Sequence, residues 1–185
     1  MFKSKIWKRI KSQSVLIYQS PFLKRMSQLE RYEFIQFCHR RRYKAGEYVY
    51  HQGDPGTGLY LIEQGSIELL HHEPPEKEPV QIYQLNPPEC FGAFSVDYHV
   101  RRKTTARCVT DCVLYGFFIS DYQILGKRHP HIALHLLETL NVVSIQQLDL
   151  ALARLSNGHI PSEEYAILLE TYDIPSEESI NEKIR

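Results

Sequence analysis

Two neighbouring stretches of this 185-residue chain have the residue types and spacing to hold a small anion. Phe91-Gly92-Ala93-Phe94-Ser95 fits a short turn of helix, and Val100-Arg101-Arg102-Lys103-Thr104-Thr105-Ala106 is a cationic loop that runs into small and hydroxylated residues. Backbone N–H groups at the start of a helical turn favour negative charge. A guanidinium adds charge-assisted hydrogen bonds at fixed angles, which an arginine of that loop can supply. This is equipment for binding and not for making or breaking bonds, so no catalytic residue is expected.

Other reactive side chains assemble less well. His71 and His72 end one strand-like segment, and successive strand residues face opposite sides, so the pair cannot chelate one ion from a regular strand. A jelly-roll metalloenzyme of the cupin type would need a His-x-His, a glutamate and a later histidine on the roll. His51 stands alone, with Gly53 where the second histidine should be. His129 and His131 have the spacing but lie beyond the roll, at a helix start, so no metal and no cofactor is expected. Cys38, Cys90, Cys108 and Cys112 are too scattered for a disulfide framework, and no second pair completes a metal site with Cys108 and Cys112. They are expected to be reduced thiols of a cytoplasmic protein.

Net charge is zero, yet the charges are segregated. Residues 1–44 carry twelve lysines and arginines against two acidic residues, whereas residues 162–185 carry two against seven. Three units are expected: a basic amphipathic arm (1–20), a globular domain (21–156) and an acidic tail with short helices (157–185). In the arm, Phe2, Ile6 and Ile10 fall on one helical face among lysines. That pattern suits either a peripheral membrane or partner contact, or an arm that docks on its own domain. No apolar run reaches the roughly 20 residues of a membrane span.

The elements that must position the anion-binding stretches are mostly strands. A helical stretch runs from Phe22 to about His39, with Pro21 in its first turn. Ser27 and Glu30 have capping-box spacing, so the stretch reads as one helix or two short ones. Arg40-Arg41-Arg42 suits the negative end of that helix. Alternating segments follow at Glu47–His51, Leu59–Ile62, Ser66–Leu70 and Val80–Leu85, with glycine turns between them. Gln64-Gly65 reads as the turn of a hairpin. Short strands at this pace indicate a sandwich, barrel or jelly roll. Ser120-Asp121 caps a short helix to about Arg128. Pro130 opens a long one that Asn157-Gly158 ends. Its apolar residues between Ile132 and Leu155 cover more than one face, so it needs covering on two sides, and a second copy of itself is the simplest second cover. The fold class is therefore α+β: an antiparallel β-roll, or jelly roll, over residues 43–118, flanked by an N-terminal helix and two C-terminal helices, the last one long.

Over residues 21–156 the chain resembles the cyclic-nucleotide-binding domain shared by catabolite-activator-type regulators, protein kinase A regulatory subunits and cyclic-nucleotide-gated channels. The resemblance rests on Gly46, Val49-Tyr50, Gly53-Asp54, Leu59-Tyr60-Leu61-Ile62 and Gly65, then Phe91-Gly92, then Arg102 and Thr104-Thr105-Ala106, then Thr110 to Gly116. It implies a phosphate-binding cassette in which Gly92, Ala93, Phe94 and Ser95 supply backbone, Arg102 takes the phosphate, and Lys103 and Thr104 adjoin it. It implies cyclic AMP or cyclic GMP as the ligand.

The departures are specific. Ala93 stands where the family's glutamate takes the ribose hydroxyl, and losing such a bond costs about 1.5–3 kcal/mol. Pro88 replaces a glycine, Arg101 a proline, and Lys103 a small residue, while Asp97 adds a like charge. The family's transcription factors continue into a helix-turn-helix domain; the 29 residues after Ser156, seven of them acidic, are too few for one, so none is expected. The expectation is thus a non-enzymatic, stand-alone regulatory module that binds a small anion, with cyclic nucleotide bound weakly or not at all. It would signal to an unknown protein partner and form a homodimer through residues 132–155. The alternative is a degenerate domain that serves dimerisation or as an adaptor.

Overall fold

The computed structural model describes residues 16–72, 80–92, 94–95 and 99–156. The expectations for residues 1–15 of the arm, the polar loop after His72, Ala93, Asp97 and the acidic tail fall outside the described residues; at the end of the arm, Leu16 is buried in the domain's core. Eight strands form two four-stranded antiparallel sheets: β1 (His39–Tyr43), β8 (Cys112–Phe118), β3 (Gly58–Gln64) and β6 (Cys90–Phe91) in one, β2 (Tyr48–Tyr50), β7 (Thr105–Cys108), β4 (Ile67–His71) and β5 (Val80–Leu85) in the other. Helix α1 (Gln28–Gln36) precedes the roll, and α2 (Ile119–Arg128) and α3 (Pro130–Ser156) follow it. This is the α+β roll that the alternation and glycine turns predict.

The first sheet divides two apolar clusters. Leu59, Leu61, Tyr115 and Phe117 face outward to meet Leu23, Phe34, Ile35, Leu125, Ile132 and Leu136 from the helical segments. Tyr60, Ile62 and Leu114 face inward to meet Ile67, Leu69 and Leu85 of the second sheet. Because both faces of β3 are covered, Gly58 to Glu63 are all buried. Each Leu or Ile side chain sealed in this way contributes about 1.5–3 kcal/mol by leaving water.

Three local expectations are corrected. The helix from Phe22 to His39 is interrupted: residues 22–25 form a turn, and α1 starts afresh at the N-cap Ser27. The capping box is formed, with Ser27 N–H donating to Glu30 Oε2 at 2.7 Å and Glu30 N–H donating to Ser27 Oγ at 3.4 Å. Arg31 closes the preceding turn by donating to the carbonyls of Met26, Ile17 and Lys24.

Secondly, Arg40-Arg41-Arg42 does not cap a helix but lies in β1, paired with β8 from His39↔Gly116 to Tyr43↔Cys112. Arg40 Nε donates to Glu63 Oε2 at 2.7 Å, and the Glu63 side chain is fully buried. A ladder of backbone bonds plus a buried carboxylate outweighs the modest pull of a helix end, which is worth about 0.3–1 kcal/mol.

Thirdly, β3 and β4 do not form a hairpin, since they belong to different sheets. Gly65 has φ +89, and a Cβ there would sit 2.6 Å from the Asp111 carbonyl oxygen and from Cys112 Sγ. The chain turns a corner at that contact, where only glycine fits.

The cap of α2 also differs in detail. Ser120 is already helical, and the carboxylate of Asp121 accepts the Phe118 N–H at 2.8 Å. Cys38, Cys90, Cys108 and Cys112 remain thiols. Burial, and then the neighbouring Cys112, push the Cys108 thiol up to about 12.

Candidate functional site

The arginine loop is seated by a motif about fifty residues upstream. Gly53 N–H donates to the Arg102 carbonyl at 2.9 Å, and Arg102 N–H donates to the Asp54 carbonyl at 2.9 Å. Gly56 N–H donates to the Val100 carbonyl, and Arg101 Nη1 donates to the Gly53 carbonyl, each at 2.9 Å. Asp54 is itself held because its Oδ2 accepts the His51 N–H at 2.8 Å. Gly53-Asp54, a turn signal in sequence, is therefore the anchor of the cationic loop.

So anchored, Arg102 points inward and is only 3% exposed. Its Nη2 donates to the Gly58 carbonyl at 2.7 Å. Its guanidinium carbon lies 4.2 Å from the centroid of the Tyr50 ring, with Tyr60 at 6.0 Å. Cation–π contacts of this kind are worth about 2 kcal/mol when desolvated. Gly92 has φ +97, and a Cβ on it would stand 2.7 Å from Arg102 Nη1. Phe91-Gly92 and Arg102 are thus brought into direct contact. Thr104 is fully buried, and its hydroxyl has no hydrogen-bond partner among the described residues. A buried hydroxyl left unsatisfied costs about 1–3 kcal/mol, which a ligand oxygen would recover.

The other cassette residues go elsewhere. Phe94 pairs with Thr57 through an isolated bridge, and its ring packs on Phe117 at 5.8 Å and on Tyr122 of α2 at 6.3 Å. Ser95 is half-buried, and Lys103 is exposed. The Lys103 carbonyl lies 3.0 Å from His71 Nδ1. Arg101 is exposed and lines a separate cleft with Pro55, Thr57, His99 and Ile119.

Sequence reasoning missed the aromatic floor. Tyr60 stacks on Phe91 with centroids 5.4 Å apart, and Tyr50 lies 6.0 Å from Phe91. A signal was present: Tyr50 and Tyr60 occupy strand positions, and a tyrosine turned into a small roll needs a polar neighbour for its ring or hydroxyl. Burial, and then Tyr43, raise the Tyr60 phenol above its usual range, while Arg102 and Arg41 pull the other way. Arg102 and Thr104, two residues apart in the chain, are both buried. Fixed donors in a low-dielectric setting are groups of the kind that suit an anion.

Comparison with known proteins places this geometry. A family model described as a cyclic nucleotide-binding domain matches residues 40–129. The chain is 33% identical over 122 residues to the cyclic AMP receptor protein of Thermus thermophilus, an alignment that covers 66% of this chain and 56% of that protein. The crystal structure of Thermus thermophilus catabolite activator protein superposes with a TM-score of 0.62 at 29% identity, covering 74% of this chain and 63% of that one. The N-terminal domain of a transcriptional regulator from Streptomyces coelicolor shares the fold, with a TM-score of 0.64 at 22% identity over 73% of this chain and 95% of that one.

Proposed function

Residues 40–129 belong to the cyclic nucleotide-binding domain family, and on that premise we propose that this chain is a non-enzymatic sensor whose roll holds a small anion at Arg102 and reports it to the flanking helices. The observation that carries the reading is the desolvated Arg102 guanidinium two residues before a fully buried, unpartnered Thr104 hydroxyl. A phosphate ester would supply acceptors to both. Its arrival competes with the Gly58 carbonyl and the Tyr50 ring for the guanidinium. Phe94, which bridges the cassette to Tyr122, is the contact through which a shift of the cassette moves α2.

Cyclic AMP or cyclic GMP is the ligand class the family suggests, and the kinship to a cyclic AMP receptor protein favours cyclic AMP. Because Ala93 stands in sequence where the family has its ribose-binding glutamate, its affinity is low. Calorimetric titration of the purified chain with cyclic AMP, cyclic GMP and inorganic sulfate tests this. Arg102→Ala abolishes anion binding, and Ala93→Glu strengthens nucleotide binding by about 1.5–3 kcal/mol. Unchanged binding by Arg102→Ala overturns the reading.

A second reading, dimerisation with or without ligand, is favoured by α3. Ile132, Ala133, Leu136 and Val143 are buried against the domain, while Leu134, Leu137, Ile145, Leu148 and Leu152 are exposed. Leu134, Leu137 and Leu148 fall at coiled-coil core spacing, with Asn141 at a core position of the same stripe, where a polar residue specifies register. A second copy of this helix covers that face as a parallel pair. Sedimentation of the wild type gives a dimer and of Leu148→Glu a monomer; a monomeric wild type at micromolar concentration removes the reading.

A further inference from the structure

The joint between α2 and α3 holds a group of ligating side chains that the anion site does not use. Among the described residues, Glu33, His129 and His131 each place one ligand atom within 4.8 Å of the others. Glu33 lies on α1, His129 is the single residue between α2 and α3, and His131 is the second residue of α3. The sequence alone set this His-x-His pair aside because it lies beyond the roll; packing of α1 brings the missing carboxylate to it.

The geometry suits a transition-metal ion. His129 Nδ1 lies 3.3 Å from Glu33 Oε2. Two ligands bound to one tetrahedral zinc at about 2.0–2.1 Å are themselves about 3.3–3.4 Å apart. His129 is oriented by the protein: its N–H donates to the Leu125 carbonyl at 2.7 Å, its carbonyl accepts from Ile132 and Ala133, and its ring meets Phe37 edge-on at 5.5 Å. His131 has its side chain 58% exposed, so it can rotate to close the set, and an ion can reach it.

The charges point the same way. Glu30 Oε2 is committed to the Ser27 N–H, and Glu30 Oε1 faces α3, 3.9 Å from His131 Nε2 and 3.1 Å from His135 Nδ1. The His135 contact has ion-pair distance without hydrogen-bond geometry. Arg31, on the same helix, is turned away to the carbonyls of Ile17, Lys24 and Met26. Two carboxylates thus lie near three ring nitrogens, a donor set of the kind a divalent cation takes.

We propose that Glu33, His129 and His131 form a binding site for a divalent d-block cation, zinc being the representative, which clasps α1 to the α2–α3 joint. Two imidazoles and one carboxylate select zinc-like ions over magnesium or calcium, which prefer oxygen. Three protein ligands leave a fourth position for water or for Glu30 Oε1. The site is independent of the anion reading, since none of its residues touches Arg102.

The test uses the full chain, free of any tag and stripped by a chelator, titrated with Zn²⁺ by calorimetry and with Co²⁺ by visible absorption. One saturable site of micromolar or tighter affinity is expected, with the absorption bands of tetrahedral Co²⁺ and a melting temperature that rises with zinc concentration. The His129→Asn/His131→Asn double variant should bind zinc at least roughly ten-fold more weakly, the least expected for loss of a ligand when outer partners alone cost that much. His51→Asn, remote from the joint, should bind as the wild type does. Glu33→Gln, a change at a partly exposed position that leaves folding intact, should weaken binding as well. The absence of saturable binding at micromolar zinc overturns the proposal. So does a double variant that binds like the wild type, or magnesium binding as tight as zinc binding.

Discussion

On β3, Leu59 and Leu61 point to the helices while Tyr60 and Ile62 point into the roll; on β8, Tyr115 and Phe117 go one way, Leu114 and Phe118 the other. The same two strands therefore serve two unlike interiors. The inner one has a charge against its rings: the buried Arg102 guanidinium lies over Tyr50, and Tyr60 stacks on Phe91. It is closed by two sheets whose backbone bonds hold it in one geometry. The outer interior is apolar at its centre and polar at its rim, where Arg40 meets Glu63 and His39 meets Asp121. It is closed by helices held mainly through side-chain packing. Binding chemistry belongs where groups are fixed and desolvated, and a movable output belongs where contacts are apolar and non-directional. Phe94, two residues after the Gly92 that touches Arg102, packs on the outer side.

Breaking the outer interior has the largest effect. Phe117→Ala removes a fully buried ring that packs on Phe34 at 4.7 Å, and it should destabilise the fold by about 3–5 kcal/mol in urea unfolding. The rim comes next. Arg40→Ala takes a partner from the buried Glu63 carboxylate and should cost roughly 3 kcal/mol, most of it recovered when Glu63→Gln is added. Lys44→Ala, which removes an exposed pair with Asp111, should leave the melting temperature within error. Phe94→Ala should lower stability by no more than about 3 kcal/mol, because that ring is only partly buried. Its distinctive result is that anion binding persists while the accompanying change in hydrogen exchange of α2 disappears. If that exchange response survives intact, Phe94 is not the link.

The smallest effect is on pH dependence. The hydrogen bond from Lys44, and then that from the Ala45 N–H, hold the Asp111 carboxyl below its usual range. A depressed folded-state value means the stabilisation is present above the unfolded value and fades as pH falls through the folded one. Asp111→Asn should therefore lower stability slightly at neutral pH, where the wild type has that stabilisation, and converge with the wild type in acid, flattening the acid limb of the profile.

What lay within reach of the sequence was local. Alternation marked the strand segments, Ser27-x-x-Glu30 marked the start of α1, and Pro130 marked the start of α3, because these features depend on residues a few positions apart. Gly92 and Arg102 stand out by resemblance, as the Phe-Gly and the arginine of the family's cassette. Tertiary structure decided what pairing decides. Arg40 to Arg42 became a strand because β8 and a buried Glu63 were waiting for them, and Gly65 became a corner because Asp111 and Cys112 crowd it. The direction of the Arg102 side chain depends on Tyr50 and Gly58, some fifty residues upstream, and the meeting of Glu33 with His129 depends on how α1 lies against the α2–α3 joint. Local torsional preferences are encoded residue by residue, but the partner of a buried charge or ring is set only when distant segments pack, since the energy lies in the contact and not in either segment alone.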